Sequence, residues 1–217
     1  MQYLQIYDIV LTTFRGNEAV KILFSGEENR KGELVSPRDI VAKVVSYNVP
    51  FVIFSGGEPT KQNLHFIIGI CYLLRRKYHK KIIFETDASR FNQLLFINVK
   101  HFLLYPKKEN FNEIKFKRYI DNATTKTLEL RRTPDLSCVG KATSYNFMKF
   151  VEVIFNIKDK QDLVFAVNTF NNFEIKSQKL KVFIKPIYSP SFSEEDFTVV
   201  WKEIKNQILP YNYLYME

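Results

Sequence analysis

The sequence predicts an α/β fold built on a parallel sheet with crossover helices, and three observations lead there. Short β-rich runs alternate with amphipathic stretches along most of the chain. The run Phe51–Phe54 is apolar throughout, as a strand buried on both faces must be. The segments between such runs carry helix-start signals.

Val20 to Phe24 reads as the first strand. Ser36-Pro37-Arg38-Asp39 then supplies an N-cap, a proline at the first helical position and an acid in the first turn, predicting a helix to about Tyr47. Phe51 to Phe54 ends in Ser55-Gly56-Gly57-Glu58-Pro59. A long helix is expected from about Lys61 to Tyr78, with Leu64, Ile67, Ile68, Cys71 and Leu74 on its apolar stripe. Lys81 to Thr86 is the next strand, followed by a turn at Asp87-Ala88-Ser89. A helix around Arg90 to Phe96 and a strand from His101 to Tyr105, closed by Pro106, come next.

Residues 107–145 carry the weakest pattern: a basic helix over Phe111 to Ile120 and a loop over Asn122 to Gly140. Beyond them we expect a strand near Lys149 to Phe155, a helix from Asp159 to Phe170 and a strand from Lys181 to Ile187. A last helix is expected from Ser193 to Ile208, where Ser193-Glu194-Glu195-Asp196 gives a cap and first-turn acids.

A chain of 217 residues suits one domain, spanning 1–217, and its 46% hydrophobic content supports a sizeable core. The net charge of +9 attracts phosphates and acidic partners. The basic residues form short clusters (Arg75-Arg76-Lys77, Arg131-Arg132), so a solvated surface is the simpler reading beside a nucleic-acid footprint. The N-terminus lacks a basic segment followed by an apolar run, and no stretch of 18 uncharged apolar residues occurs. The expectation is a cytoplasmic protein that does not enter membranes. Cys71 and Cys138 stand far apart, and His65, His79 and His101 are scattered without zinc-ligand spacing.

The sharpest local signal is Ser55-Gly56-Gly57-Glu58-Pro59 at the carboxyl end of a buried strand, where parallel α/β folds bind ligands. Two glycines let backbone approach a ligand closely, and a glutamate accepts bonds from an ammonium group. The segment also reads as a sharp strand-to-helix turn.

It resembles the Gly-Gly-Glu-Pro motif of the radical S-adenosylmethionine (SAM) superfamily, and most closely that of the 7-carboxy-7-deazaguanine synthase family. Phe84-Glu85-Thr86-Asp87-Ala88-Ser89, Leu104-Tyr105-Pro106-Lys107, Lys149-Phe150-Val151 and Phe183-Ile184-Lys185-Pro186 are similar to later segments of that family, in the same order. The resemblance covers roughly residues 15–190. It implies an incomplete β/α barrel of about six parallel strands. It also implies a site for SAM or a related nucleoside at Gly56, Gly57 and Glu58, with further contacts near Glu85 and Asp87. The motif's glutamate side of this site would take the methionine ammonium of SAM.

The resemblance breaks where the family has Cys-x3-Cys-x2-Cys. Glu27, Lys31 and Leu34 occupy those three positions. A [4Fe–4S] cluster needs thiolate ligands, and two cysteines in the whole chain cannot supply a three-cysteine site. We therefore expect no cluster and no radical SAM activity. Ser36 falls at the family's magnesium-binding threonine, but reads first as a helix cap. Lys107 falls where the family pattern contacts a substrate or nucleotide, but a lysine after Pro106 reads first as surface.

Three readings stay open. The first is a non-catalytic binding or regulatory protein acting through a protein partner or as a homodimer. The second is an enzyme of another type using the strand-end pocket on SAM or a purine-like ligand. The third is a basic nucleic-acid-binding protein.

Overall fold

The structure, a computed structural model, describes residues 3–26, 32–124, 150–173, 180–205 and 214–216. It opens with an antiparallel hairpin of β1 (Leu4–Phe14) and β2 (Asn17–Phe24), turning at Arg15 and Gly16, both with positive φ. A short strand, β3 (Glu33–Val35), returns to pair with the start of β1. From there strands and helices alternate. The strands are β4 (Phe51–Gly56), β5 (Lys81–Thr86), β6 (His101–Leu104), β7 (Phe150–Ile157), β8 (Leu180–Pro186) and β9 (Leu214–Met216). The helices are α1 (Pro37–Ser46), α2 (Leu64–Arg76), α3 (Gln93–Asn98), α4 (Glu113–Thr124), α5 (Lys160–Asn171) and α6 (Glu194–Ile204).

The described strands form one nine-stranded sheet in the order β3-β1-β2-β4-β5-β6-β7-β8-β9. The run from β2 through β9 is parallel, seven strands rather than about six, with one α-helix in each crossover from β4 onward. All six helices bury residues in one large core on a single face of the sheet, including Ile40, Ile67, Phe96, Tyr119, Leu163 and Phe197. A smaller core on the other face holds Ala19, Ile53, Ile83, Leu103 and Ile154, with no helical residue among those described. The helices are thus wound to one side, unlike a doubly wound sheet with helices on both.

Side-chain alternation creates both faces from one sequence. Phe24, Phe54, Phe84 and Phe102, one per strand on four adjacent parallel strands, form a ring ladder with centroids 5.7–6.0 Å apart. Phe96 of α3 stacks on Phe102 at 5.0 Å. Such ring pairs each add about 0.5–1.5 kcal/mol beyond the area they bury.

The helix starts follow their caps. Ser36 Oγ accepts the Asp39 N–H at 3.2 Å, Asp159 Oδ1 accepts the Asp162 N–H at 2.8 Å, and Ser193 and Asp196 form a reciprocal capping box. The structure departs from expectation elsewhere. β1, β3 and β9 were not anticipated. The expected Lys61–Tyr78 helix is a 3₁₀ turn over Pro59–Lys61 followed by α2, because Gln62 and Asn63 take extended backbone between them. The basic helix runs past Ile120 to Thr124, into the span expected as loop. Lys149, residues 125–140 of that loop and the end of the last expected helix lie outside the described residues.

Candidate functional site

The carboxyl ends of β4 and β5 bring Glu58 and Asp87 together. Gly56 has φ +89°, and a Cβ there would stand 2.7 Å from Phe24 O. A Cβ on Gly57 would stand 2.6 Å from Ser25 O, and the Gly57 N–H donates to Phe24 O at 2.8 Å. Both glycines therefore serve a close approach of the chain to its own backbone at the end of β2.

That approach aims Glu58 across to β5. Glu58 Oε1 accepts from the Thr60 N–H at 3.1 Å, the Thr60 hydroxyl at 2.6 Å and the Thr86 hydroxyl at 2.7 Å. Oε2 accepts from the Asp87 N–H at 2.7 Å. Asp87 in turn accepts from the Ser89 N–H at 2.9 Å and from Asn110 Nδ2 at 2.7 Å. The Thr86 hydroxyl also accepts the Ala88 N–H at 3.1 Å, which holds the turn at Ala88 with its positive φ. Asn110 Oδ1 is buried and has no hydrogen-bond partner among the described residues.

The two carboxyls diverge in acidity. Burial, then the Asp87 charge, raise the Glu58 carboxyl above its ordinary value, against hydrogen bonds from Thr60, Asp87 and Thr86. Burial also works to raise Asp87, but hydrogen bonds from Ser89, Glu58 and Asn110 outweigh it and hold Asp87 below the ordinary value. Of the two, Glu58 is the group that retains a proton more readily. The Tyr119 hydroxyl nearby is pushed up by burial and by both carboxyl charges, and it donates to Arg90 O at 3.0 Å.

Glu85, expected near the same pocket, points to the opposite face of the sheet from Phe84. It accepts from Ser55 Oγ, and Lys21 Nζ lies 3.2–3.3 Å from its two oxygens. At the amino end of the strands, the same face carries buried Glu152. Arg15 from the hairpin tip pairs with its Oε1, and His101 Nε2 lies 3.2 Å from the same atom. Burial opposes ionisation of Glu152, and the contacts and charges of His101 and Arg15 outweigh it, so its carboxyl sits below the ordinary value. Sequence reasoning missed Thr60, Thr86, Asn110 and the Arg15–Glu152 pair. The Arg15-Gly16 step, a turn signal at the head of a strand, was the available pointer to the last.

The residues present do not fit a [4Fe–4S] cluster. Leu34 lies on β3, exposed and without a donor atom. Cys71 is fully buried on α2, where burial pushes its thiol far above the ordinary range. Glu27, Lys31 and Cys138 lie outside the described residues. Among the described residues no three His, Cys, Asp or Glu side chains are grouped to hold a metal ion. Ser36 is the α1 cap, its hydroxyl donating to Asp39 Oδ2 at 2.6 Å, and Lys107 is exposed. No described helix is long and apolar enough to cross a membrane.

No protein-family model and no characterised protein sequence matches the chain. Among solved structures it is similar to Streptococcus suis SuiB bound to the precursor peptide SuiA, with TM-score 0.50 and 13% identity over 87% of this chain and 44% of that one. It is also similar to Streptococcus suis SuiB bound to S-adenosylmethionine, with TM-score 0.49 and 12% identity over 87% of this chain and 45% of that one. The chain spans less than half the length of SuiB. At this identity the similarity extends to the fold alone: the chain shares its fold with part of SuiB.

Proposed function

We propose that this chain is a radical-SAM-like protein without cluster chemistry, acting as a non-catalytic binding or regulatory protein through a protein partner or its own dimer. On this reading its one-sided parallel sheet is a partial barrel of the kind the family resemblance implies. The observation that carries the reading is the state of Glu58. Its carboxylate already accepts four hydrogen bonds from Thr60, Thr86 and Asp87, so the group that would receive a SAM ammonium instead ties β4 to β5. The donor chemistry of the chain points the same way, since two cysteines leave no three-thiolate site.

Anaerobic reconstitution with iron and sulfide tests the first part. The expected result is no cluster chromophore and no 5′-deoxyadenosine from SAM; either product overturns the reading. A thermal-shift titration with SAM, S-adenosylhomocysteine and 5′-deoxyadenosine, none of which carries a phosphate, tests the second. No saturable shift is expected from any of them.

One observation favours a second reading, a strand-end pocket for a purine-like ligand. Asn110 Oδ1 is a buried acceptor beside Asp87 that a ligand N–H would satisfy. Saturable stabilisation by one of the nucleosides that disappears in Asn110→Ala would establish this reading in place of the first.

A further inference from the structure

On the helix side of the strand ends lies a cavity of about 300 Å³, at the small end of the range for small-molecule sites. Three segments converge on it: Thr60 of the β4–α2 connection with Leu64 at the start of α2, Arg90 and Phe91 ahead of α3, and Lys115 of α4. Its wall is unbalanced in charge. Two cations line it and no carboxylate does. Among the described residues Lys115 Nζ has no acceptor, and the Arg90 guanidinium makes one long bond, to Thr60 O at 3.4 Å.

The neutral polar groups of the wall are mostly committed. The Gln62 amide donates to Ser25 O at 3.2 Å and accepts from the Gln5 N–H at 3.3 Å. Asn92 Oδ1 accepts the Leu95 N–H at 3.0 Å as the α3 cap. The groups left to meet a ligand among the described residues are therefore the two cations, the Asn92 Nδ2 donor and an apolar surface. Phe91 is held in place by Phe96 and Tyr119, at ring separations of 5.6 and 5.0 Å. Arg90 is held through its carbonyl by the Tyr119 hydroxyl. The Phe91 ring and the Arg90 backbone are therefore in place before any ligand arrives, and the two cationic side chains are free to close on it.

We propose that this cavity binds a small organic phosphate, with Arg90 and Lys115 holding the phosphate and Phe91 and Leu64 facing an aromatic or apolar body. Two convergent cations suit a phosphate monoester dianion better than a single carboxylate, and the planar guanidinium matches phosphate oxygens in pairs. The proposal does not depend on the state of Glu58 or on the cluster, so it stands or falls separately from the functional reading above.

The test is isothermal titration of the full chain with AMP, phenyl phosphate, inorganic phosphate and adenosine. It uses wild type, Arg90→Gln, Lys115→Gln and a control, Lys117→Gln, which removes an exposed charge from the same helix. Saturable one-to-one binding of AMP or phenyl phosphate is expected. It should weaken about tenfold in each cavity variant and stay unchanged in Lys117→Gln, with adenosine much weaker. Absence of saturable binding by both organic phosphates overturns the proposal. So does equal loss in Lys117→Gln, which would assign the affinity to the basic surface at large. Inorganic phosphate binding as tightly as AMP would overturn the organic part of the ligand assignment. Because the two cavity variants sit on different elements, a folding defect in one leaves the other to decide.

Discussion

Glu58, just past the carboxyl end of β4, and Glu152, near the amino end of β7, meet burial in opposite ways. Glu58 is surrounded by neutral donors, two hydroxyls and two backbone N–H groups, with the Asp87 carboxylate as its nearest charge. Glu152 is met by side chains that carry or can carry positive charge, Arg15 and His101. Hydrogen bonds from neutral groups satisfy geometry but do not cancel charge, so Glu58 is pushed up and Glu152 is held down. The carboxyl end of the sheet is therefore tuned by protonation and the amino end by ion pairing.

Truncation separates the two ends most strongly. Glu58→Ala removes the acceptor of four donors across β4 and β5, and should cost about 2–3 kcal/mol in urea unfolding. Glu58→Gln keeps the acceptor oxygen at Thr60 and Thr86 but turns its NH2 toward the Asp87 N–H, and should cost about 1 kcal/mol, less than Glu58→Ala. Similar losses for the two variants would break the view that Glu58 works through neutral hydrogen bonding.

Glu152→Gln should cost about 1–2 kcal/mol at neutral pH. Arg15 is half exposed and regains water, which limits the loss. The pH profiles should run in opposite directions. The folded pKa of Glu152 is depressed, so its stabilising contribution is full above the ordinary value of 4.5 and fades as pH falls through the folded pKa. The deficit of Glu152→Gln should therefore shrink in acid. The folded pKa of Glu58 is raised, so its contribution is full below 4.5 and is lost as pH rises through the folded pKa. Wild type should accordingly gain on Glu58→Gln as pH is lowered toward 4.5. Parallel profiles for both variants would remove the distinction.

Glu85 is the intermediate case, with one cation and one hydroxyl. Ser55→Ala removes the hydroxyl and leaves Lys21 in place, so the smallest loss of the series is expected, about 0.5–1 kcal/mol. A larger loss would mean that the hydroxyl, and not the ammonium, holds Glu85 on its face of the sheet.

The sequence made the regular middle of this fold legible because local signals and global architecture agree there. The strand Lys81–Thr86 is observed with the bounds expected of it, and Ser36, Asp159 and Ser193 cap the helices they were expected to start. The hairpin strand β1 escaped because its residues grade in burial, with half-buried Ile9 and Val10 adjacent, and so lack strict alternation. β3 and β9 have three residues each, too short for a periodic signal.

At the site, the structure brings Glu58 and Asp87 beside each other, while the motifs that singled them out say nothing of what surrounds them. The acceptors were legible and the donors were not. Thr60 and Thr86 are ordinary residues by type, and two of the remaining partners are backbone N–H groups without a sequence signature. Glu85 shows the opposite limit. It is one residue before Thr86, yet strand alternation turns it to the other face.

The Arg15–Glu152 contact also has a consequence in time. The hairpin tip is a two-residue turn between Phe14 and Asn17, a local structure that closes on the order of microseconds. Its ion-pair partner lies 137 residues further along the chain. Each parallel pairing between them waits on a crossover, the slow class of contact in chain assembly. A locally closed hairpin thus carries a cation whose carboxylate can be met only after β7 has docked. Quenching at the hairpin and at Glu152, followed in one refolding experiment, would mark the beginning and the end of sheet assembly.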